Sequence, residues 1–254
     1  MARRVLFPVI VVALIALLTW AAAPPERVDW AALQDGVTVH YPEGEGPFPV
    51  AVLMHGCGGP RPFMEDYAEA ANRAGVAAVV MDSFAPRGIG RLRAVTTVCT
   101  GFRLHGDQRA HDIAVLLDNL PDARLDTSRV ALAGWSHGAW AAAEALTRRP
   151  VEAEGVDAAF LVYPYCRFPA RWPGKHAAGD APILAVVPED DYVGDSAACR
   201  DALTASGADI VSVPNATHAF DDPDPTGIGF EYNAEATAEN RARFTDFLKE
   251  TLTR

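Results

Sequence analysis

Residues 130–144 read Val130-Ala-Leu-Ala-Gly134-Trp-Ser136-His-Gly138-Ala-Trp-Ala-Ala-Ala-Glu144, and this stretch decides the fold. The apolar run before Gly134 predicts a buried strand, and the alanine-rich run after Gly138 predicts a helix. A Gly-x-Ser-x-Gly pattern between a strand and a helix is typical of a nucleophile elbow, in which the serine lies at a strained turn. Glycines two residues before and after Ser136 avoid collisions with the neighbouring strand and helix. We therefore predict that Ser136 is a nucleophile, which requires a base, an acid and an oxyanion hole elsewhere in the chain.

Short apolar runs alternate with helical patterns along the rest of the sequence. The predicted strands are residues 37–41, 50–54, 76–81, 130–133, 158–163, 182–187 and 209–213, and the predicted helices are residues 63–74, 107–120, 196–206, with Ser196 as its N-cap, and 235–252. All-apolar strands that alternate with helices predict an α/β fold with a mostly parallel sheet covered on both faces. Ligands of such sheets bind beyond the carboxyl ends of the strands.

Composition limits the classes of function. The 254 residues are half apolar, enough for one large α/β domain, which we place at residues 26–254. The formal net charge of −11, without a long basic run, argues against a nucleic-acid partner. The cysteines and histidines lack the spacing of a zinc site, so we expect no metal and no cofactor. We expect a monomer or a small homo-oligomer.

The N-terminal segment predicts export. Arg3 and Arg4 precede an uncharged run from Val5 to Trp20, which ends in three alanines. This pattern predicts a signal peptide at residues 1–23, with a retained membrane anchor as the alternative. Either interpretation puts the domain outside the cytoplasm, periplasmic or secreted, and any contact with a membrane would then be through this segment. In an oxidising compartment the four cysteines favour disulfides, with four buried free thiols as the alternative.

Candidates for the base and the acid follow later strands. His218 lies in a loop just after the strand at 209–213, whereas Asp190 and Asp191 follow the strand at 182–187. A serine nucleophile needs a base to take its proton, and the base needs a carboxylate that fixes its tautomer. The chain order Ser, Asp, His is the one that α/β-hydrolases use. The residue pattern alone leaves open which aspartate is the acid.

The loop His55-Gly-Cys57-Gly-Gly59 follows a buried strand and is our candidate for one side of the oxyanion hole. In this fold one backbone N–H comes from the residue after the nucleophile, here His137, and the other comes from such a loop, here Cys57. An alternative makes Cys57 itself the nucleophile, although nothing nearby in sequence would lower its pKa. We expect His55 to brace the loop.

Several motifs together resemble the dienelactone hydrolase family, and most closely its exported, serine-containing branch. These motifs are His55-Gly-Cys-Gly-Gly59, Asp82-Ser-Phe-Ala-Pro-Arg-Gly-Ile-Gly-Arg91, Gly134-Trp-Ser-His-Gly138, Tyr163-Pro-Tyr-Cys166 and Thr217-His-Ala-Phe220. The resemblance extends from about Val37 to Leu252 and implies an α/β-hydrolase fold without a large lid. Dienelactone hydrolases proper use a cysteine nucleophile, so the serine argues against carrying the dienelactone substrate over.

The resemblance also implies roles for individual residues. The acid is the fourth residue of a Gly-x-x-Asp turn in the family; Pro188 stands at the glycine position, which makes Asp191 the acid. In the strand order of the family the loops of Cys57 and Cys99 are neighbours, as are those of Cys166 and Cys199. The resemblance therefore implies disulfides 57–99 and 166–199.

Arginines and aromatic residues near the strand ends are candidates for substrate contacts. A guanidinium can hold a carboxylate through two hydrogen bonds, while aromatic rings can line an acyl pocket. Surface salt bridges and simple packing are the alternatives. The candidates are Arg87, Arg91, Arg93, Trp135, Phe84 and Phe220.

The function that these expectations describe is a serine hydrolase of small-molecule esters or lactones that works through an acyl-enzyme. A serine peptidase or an acyltransferase with the same three residues is one alternative. An exported binding protein with a vestigial hydrolase site is the other.

Overall fold

The computed structural model describes residues 27–120, 122–148, 155–170, 172, 181–225 and 227–253. The predicted export segment at 1–23 lies outside the described residues. Within the described part of the chain, no helix combines the length and the apolar character that crossing a bilayer requires.

Strands and helices alternate as the sequence predicts. The strands are β1 (Val37–His40), β2 (Phe48–Met54), β3 (Ala77–Met81), β4 (Leu125–Trp135), β5 (Val156–Val162), β6 (Ile183–Pro188) and β7 (Asp209–Val213). The main helices are α1 (Phe63–Arg73), α2 (Gly106–Asp118), α3 (His137–Arg148), α4 (Ser196–Ala205) and α5 (Ala234–Leu252). The shorter helical segments are Trp30–Leu33, the 3-10 turns Gln34–Gly36 and Ala85–Arg87, and Arg91–Arg93, which continues into a π-helical turn at Ala94–Val98.

The sheet has the strand order β1-β3-β2-β4-β5-β6-β7. Only the pairing of β1 with β3 is antiparallel among these strands. The carboxyl ends of β2 to β7 therefore meet at one side of the sheet, which we call the carboxyl edge. Every predicted catalytic residue lies there, because each one follows a strand of the parallel set.

Helices cover both faces of the sheet, and the strand side chains alternate between two cores. Leu53, Ala133 and Phe160 point to the core that contains α1 and α5. Val52 and Leu132 point to the core that contains α2, α3 and α4. Burial on both faces explains why the strands read as unbroken apolar runs.

The structure corrects one predicted helix cap and one strand boundary. Asp195, and not Ser196, caps α4, because its side chain accepts from Ala198 N–H (3.3 Å), whereas the Ser196 hydroxyl donates to the Pro188 carbonyl (2.7 Å). β4 begins at Leu125, five residues before the predicted start, since its polar first half pairs with β2 ahead of a register shift at Pro49/Val50. Because the residues of this first half are mostly polar, no apolar run marked them as part of a strand.

Candidate active site

The nucleophile elbow forms where β4 ends and α3 begins. Ser136 has a φ of 54°, in the left-handed region that residues other than glycine rarely adopt. Its N–H donates to the Val162 carbonyl at 2.9 Å. A Cβ at Gly134 would lie 2.4 Å from the carbonyl of Gly138, and a Cβ at Gly138 would lie 2.1 Å from the Met54 carbonyl oxygen. The backbones are thus too close for any side chain at either position.

His218 lies in the loop after β7 and reaches Ser136. Its Nε2 is 2.8 Å from Ser136 Oγ, and its Nδ1 is 2.7 Å from Asp191 Oδ2. All three residues are buried, none more than 5% exposed. Tyr163 and Phe230 pack against the imidazole with ring centroids at 4.8 and 5.2 Å. The carboxylate accepts from Nδ1–H, which leaves Nε2 free to accept the serine proton.

Asp191, and not Asp190, faces the imidazole. The second carboxylate oxygen of Asp191 accepts from the N–H groups of Val193 and Gly194, both at 2.8 Å. Asp190 is exposed, and its own N–H donates to the Ala216 carbonyl at 3.1 Å. Backbone donors hold Asp191 rigidly with one oxygen left for the histidine, which is the arrangement that the resemblance implies.

The loop after β2 touches the elbow at Gly56. A Cβ at Gly56 would lie 3.5 Å from the Ser136 Cβ, and Gly59 N–H donates to the Gly56 carbonyl (3.2 Å), which closes a turn through Cys57. Both Cys57 and His137 border the cavity at Ser136. Both residues predicted to supply oxyanion donors therefore lie at the cavity beside Ser136.

Both implied disulfides are present. Cys57 bonds to Cys99 with a Cα–Cα distance of 5.0 Å, and Cys166 bonds to Cys199 with 5.3 Å. All four cysteines are paired. The alternative in which Cys57 is the nucleophile is therefore wrong, since its sulfur is bonded to that of Cys99.

A buried arginine lies behind the oxyanion loop. Arg109 is 0% exposed and donates to the His55 carbonyl (2.8 Å), to Ser83 Oγ (3.2 Å) and to His137 Nδ1 (3.2 Å). No carboxylate of the described residues lies within 4.0 Å of it. Burial lowers the pKa of Arg109 to about 10. Burial, followed by the charge of Arg109, lowers the pKa of His137 well below its usual range, so that this imidazole is neutral and accepts at Nδ1.

His55 braces the same loop, as expected. Its Nδ1 lies 2.7 Å from the Gly56 carbonyl oxygen, and its Nε2 accepts from Ser83 N–H at 3.3 Å. Burial is the main cause that lowers the pKa of His55. The loop is thus fixed by His55 from within and by Arg109 from behind.

A second buried carboxylate, Asp221, lies beneath the elbow. It accepts hydrogen bonds from Tyr163 Oη (2.6 Å), Tyr67 Oη (2.8 Å) and Trp135 Nε1 (3.0 Å), and Asn240 donates to Tyr67 Oη (2.7 Å). Burial raises the pKa of Asp221 against the effect of these donors. The network joins Trp135, the residue before Ser136, to Tyr163, whose ring packs on the His218 imidazole.

A cavity of about 310 Å³ opens beside Ser136. Its charged lining residues, Arg61 and Asp222, bond to each other with an Nε–Oδ2 distance of 2.7 Å, and this hydrogen bond is the main cause that raises the pKa of Arg61. The rest of the wall is mainly apolar. The aromatic residues that line it are Phe63, Trp135, Tyr163, Tyr165 and Phe230.

The structure corrects most of the predicted substrate contacts. Arg87 makes two 2.8 Å hydrogen bonds to the Asp112 carboxylate and does not border the cavity. Arg91 is exposed and lies outside the cavity lining, as does Arg93. Trp135 does border the cavity, although its indole N–H is already bonded to a carboxylate.

The aromatic candidates Phe84 and Phe220 serve packing. Phe84 belongs to a small cluster with Ile89 and Val98, and Phe220 packs edge-on against Tyr163 with ring centroids 5.7 Å apart. Both are almost fully buried, and neither lines the cavity.

Three residues that matter for the site were missed from the sequence. Arg109 had a detectable signal, because it falls on the apolar stripe of α2 with Ile113 and Leu116, at the spacing i, i+4, i+7. Asp221 and Arg61 lie in loops and had no periodic signal. The described residues contain no cluster of side chains suited to a metal ion.

A sequence model described as the dienelactone hydrolase family matches residues 36–252. No curated protein matches the chain. Solved structures give the likeness in fold. A dienelactone hydrolase-like promiscuous phosphotriesterase from metagenomic libraries is 19% identical, with a TM-score of 0.67, over 85% of this chain and 92% of that one.

Two further structures have the same architecture. Dienelactone hydrolase from Anabaena variabilis is 21% identical, with a TM-score of 0.59, over 85% of this chain and 91% of that one. The ferulic acid complex of Est1E from Butyrivibrio proteoclasticus is 14% identical, with a TM-score of 0.60, over 86% and 95%. At identities this low, the three structures show a common fold. The family model, in contrast, matches the sequence itself over most of its length.

Proposed function

Because the chain belongs to the dienelactone hydrolase family and is a hydrolase of carboxylic esters or lactones, we propose that Ser136, His218 and Asp191 catalyse the reaction. The observation that carries this proposal is the buried chain of two hydrogen bonds, 2.8 Å from Ser136 to His218 and 2.7 Å from His218 to Asp191. The family match favours ester and lactone substrates over a peptidase or an acyltransferase.

In the proposed mechanism His218 Nε2 takes the proton of Ser136 as Oγ attacks the substrate carbonyl carbon. The carbonyl π pair moves to oxygen, and the N–H groups of Cys57 and His137 stabilise the oxyanion. His218 then gives its proton to the leaving alkoxide as the ester bond breaks. A water molecule, deprotonated by the same imidazole, attacks the acyl-enzyme and releases the carboxylic acid, with the proton returning to Ser136.

Arg109 is the proposed positioning residue for the oxyanion hole. It holds the His55 carbonyl, two residues before one donor, and the side chain of His137, whose backbone is the other donor. Its charge is buried without a carboxylate within 4.0 Å in the described chain, so it also contributes a positive potential at the oxyanion. Arg109 thus fixes the positions of both residues that supply a backbone N–H to the oxyanion, Cys57 and His137.

Replacing Arg109 by methionine should lower kcat by about 10- to 100-fold with little change in KM, since a misplaced donor weakens binding of the transition state and not of the ground state. A methionine of similar volume keeps the apolar packing of α2. Steady-state kinetics on a soluble ester measures both constants.

Two further variants make the test of Arg109 specific. Arg109→Lys keeps the charge and should recover part of kcat. Arg129→Met, near the start of β4 at the opposite side of the sheet, should leave kcat unchanged. Equal kcat in wild type and Arg109→Met, or a loss confined to KM, would contradict the positioning role.

The wall of the cavity supports a substrate with an uncharged, apolar acyl group. Arg61 is paired with Asp222, so it offers no free charge to a substrate carboxylate. The 310 Å³ space and its aromatic lining suit an alkyl or aryl acyl group. This differs from the sequence-based hypothesis that Arg87 or Arg91 holds a carboxylate.

We also propose that the domain works outside the cytoplasm, with residues 1–23 as its export signal. The two disulfides support this location, because such bonds persist in oxidising compartments.

A fluorophosphonate probe tests the catalytic assignment directly. Ser136 Oγ should attack phosphorus and release fluoride. Intact-mass spectrometry should then find one phosphonyl group per chain, and mapping of a digest should assign it to the peptide that contains Ser136. His218→Ala should abolish labelling, since the hydroxyl loses its base. A wild-type chain that stays unlabelled would instead favour a binding protein with a vestigial site.

A further inference from the structure

The exposed large apolar side chains of the described residues lie on one side of the molecule. They follow β3, β5, β6 and β7, and so all belong to the carboxyl edge; they are Leu92, Val95, Phe102, Phe168, Tyr192, Ile228 and Tyr232. Single apolar residues scattered over a surface need no explanation, but a one-sided group around a cavity indicates a contact surface.

Two of these segments form a continuous rim at the entrance of the cavity, residues 91–103 and 167–169, which we call the collar. Val95 and Val98 of the collar line the cavity, and Cys99 is bonded to Cys57 at the oxyanion loop. A Cβ at Gly101 would lie 2.5 Å from Pro169 Cδ, so the two segments are in contact.

The outermost side chains of the collar are apolar. Leu92 is 81% exposed and Phe168 is 82% exposed, while Phe102 is more than half exposed. None of the three lines the cavity, so their exposure is not explained by binding of an acyl group within it.

The same surface is basic in an otherwise acidic protein. Residues 83–106 contain four arginines and neither aspartate nor glutamate, although acidic residues outnumber basic ones by 33 to 22 in the chain. One of the four, Arg87, is buried and bonded to the Asp112 carboxylate, so the other three supply the surface charge. Arg91 is exposed, and Arg167, which precedes Phe168, is half-exposed with its Nη2 3.9 Å from Asp195 Oδ2. Arg103 lies close to Arg87, since both border one groove.

The described chain begins beside this basic surface. Arg27, Val28 and Asp29 border a groove together with Arg87 and Arg103. Three residues, 24–26, separate the predicted export segment at 1–23 from Arg27 in sequence. Arg27, which is exposed, is thus a further arginine beside the collar.

We propose that the collar docks on an anionic lipid surface and that apolar esters enter the cavity from that surface. Its apolar side chains would enter the acyl boundary while arginines contact the anionic headgroups, the distribution found in interfacial protein segments. Juxtamembrane arginines are attracted to anionic lipids at short range. The inference rests on the proposed hydrolase function, for which it names the source of the substrate.

Vesicle sedimentation of the full chain tests the docking. Wild type should bind vesicles of phosphatidylglycerol and phosphatidylcholine in equal parts more tightly than pure phosphatidylcholine vesicles, and high salt should abolish the difference. Arg91→Gln/Arg167→Gln should weaken binding to the anionic vesicles about fivefold per arginine. Leu92→Ser/Phe102→Ser should weaken it as well, whereas Arg73→Gln, at the far end of α1, should bind like wild type.

Kinetics on two substrates separate this inference from the proposed function. The collar variants should hydrolyse a soluble short p-nitrophenyl ester at the wild-type rate, and hydrolyse a long-chain ester carried in anionic vesicles several-fold more slowly. A wild type inactive on the soluble ester would refute the hydrolase proposal itself.

Two other results would overturn only the docking proposal. One is an active wild type that binds both kinds of vesicle equally, and the other is a set of collar variants that bind vesicles like wild type. A wild-type dimer that Leu92→Ser/Phe102→Ser converts to a monomer, without binding to vesicles, would instead assign the collar to a second copy of the chain.

Discussion

Ser136→Ala should lower kcat/KM on soluble p-nitrophenyl esters by about 10⁴- to 10⁶-fold. The change removes the attacking oxygen and leaves the oxyanion donors and the cavity in place, so the residual rate reports what binding and the donors achieve without a nucleophile. Alanine adopts the left-handed φ of this position about as readily as serine, so thermal unfolding should stay nearly unchanged. Steady-state kinetics and calorimetry measure the two effects.

Ser128→Ala is the matched control for this substitution. Ser128 lies in the polar first half of β4 and is exposed, with its hydroxyl bonded only to Asp126 among the described residues. Its loss should leave kcat/KM at the wild-type value. An Ser136→Ala protein that keeps more than a few per cent of the activity would mean that another residue is the nucleophile.

Asp191→Asn should lower kcat by about 10⁴-fold. Two backbone N–H groups fix the orientation of the side chain, because they require an oxygen at the Oδ1 position. The asparagine NH₂ must then point to His218 Nδ1, which can only accept from it. The proton of the imidazole moves to Nε2, and the base no longer has a lone pair for the proton of Ser136.

The neighbouring carboxylate provides a control with the same change of charge. Asp190→Asn should leave kcat unchanged, because its side chain is exposed and the loop depends on its backbone N–H, which remains. A large loss in Asp190→Asn together with a small one in Asp191→Asn would reverse the assignment of the acid.

The fold was predictable because a strand buried on both faces of a sheet is a run of apolar residues, which is easily recognised in a sequence. Strands such as β2 and β3 consist of consecutive apolar residues, and glycine at 134 and 138 has a single steric explanation. The first half of β4 was not predicted, because its polar residues pair at the margin of the sheet and form no apolar run.

The substrate-contacting part of the site was predicted less well. Sequence distance from a strand end does not tell where a long side chain points, and Arg87 turns to Asp112 on α2 instead of to the cavity. Arg61 is held at the cavity by Asp222 and Asp224, which are far away in sequence. Whether such an arginine faces the cavity is decided by its ion pair with a residue of another segment, and this pairing depends on the tertiary structure.

The three hydrogen bonds to Asp221 make this carboxylate a shared support of two residues that we propose to be catalytic, Ser136 and His218. A single substitution there would displace both Trp135, next to Ser136, and Tyr163, which packs against His218. In a mutational scan scored by activity, Asp221 would therefore rank with the reacting residues although it lies in the core and has no path to the substrate. Screens of this family for catalytic positions need a measure of folding beside the rate to tell such supports from the residues that do the chemistry.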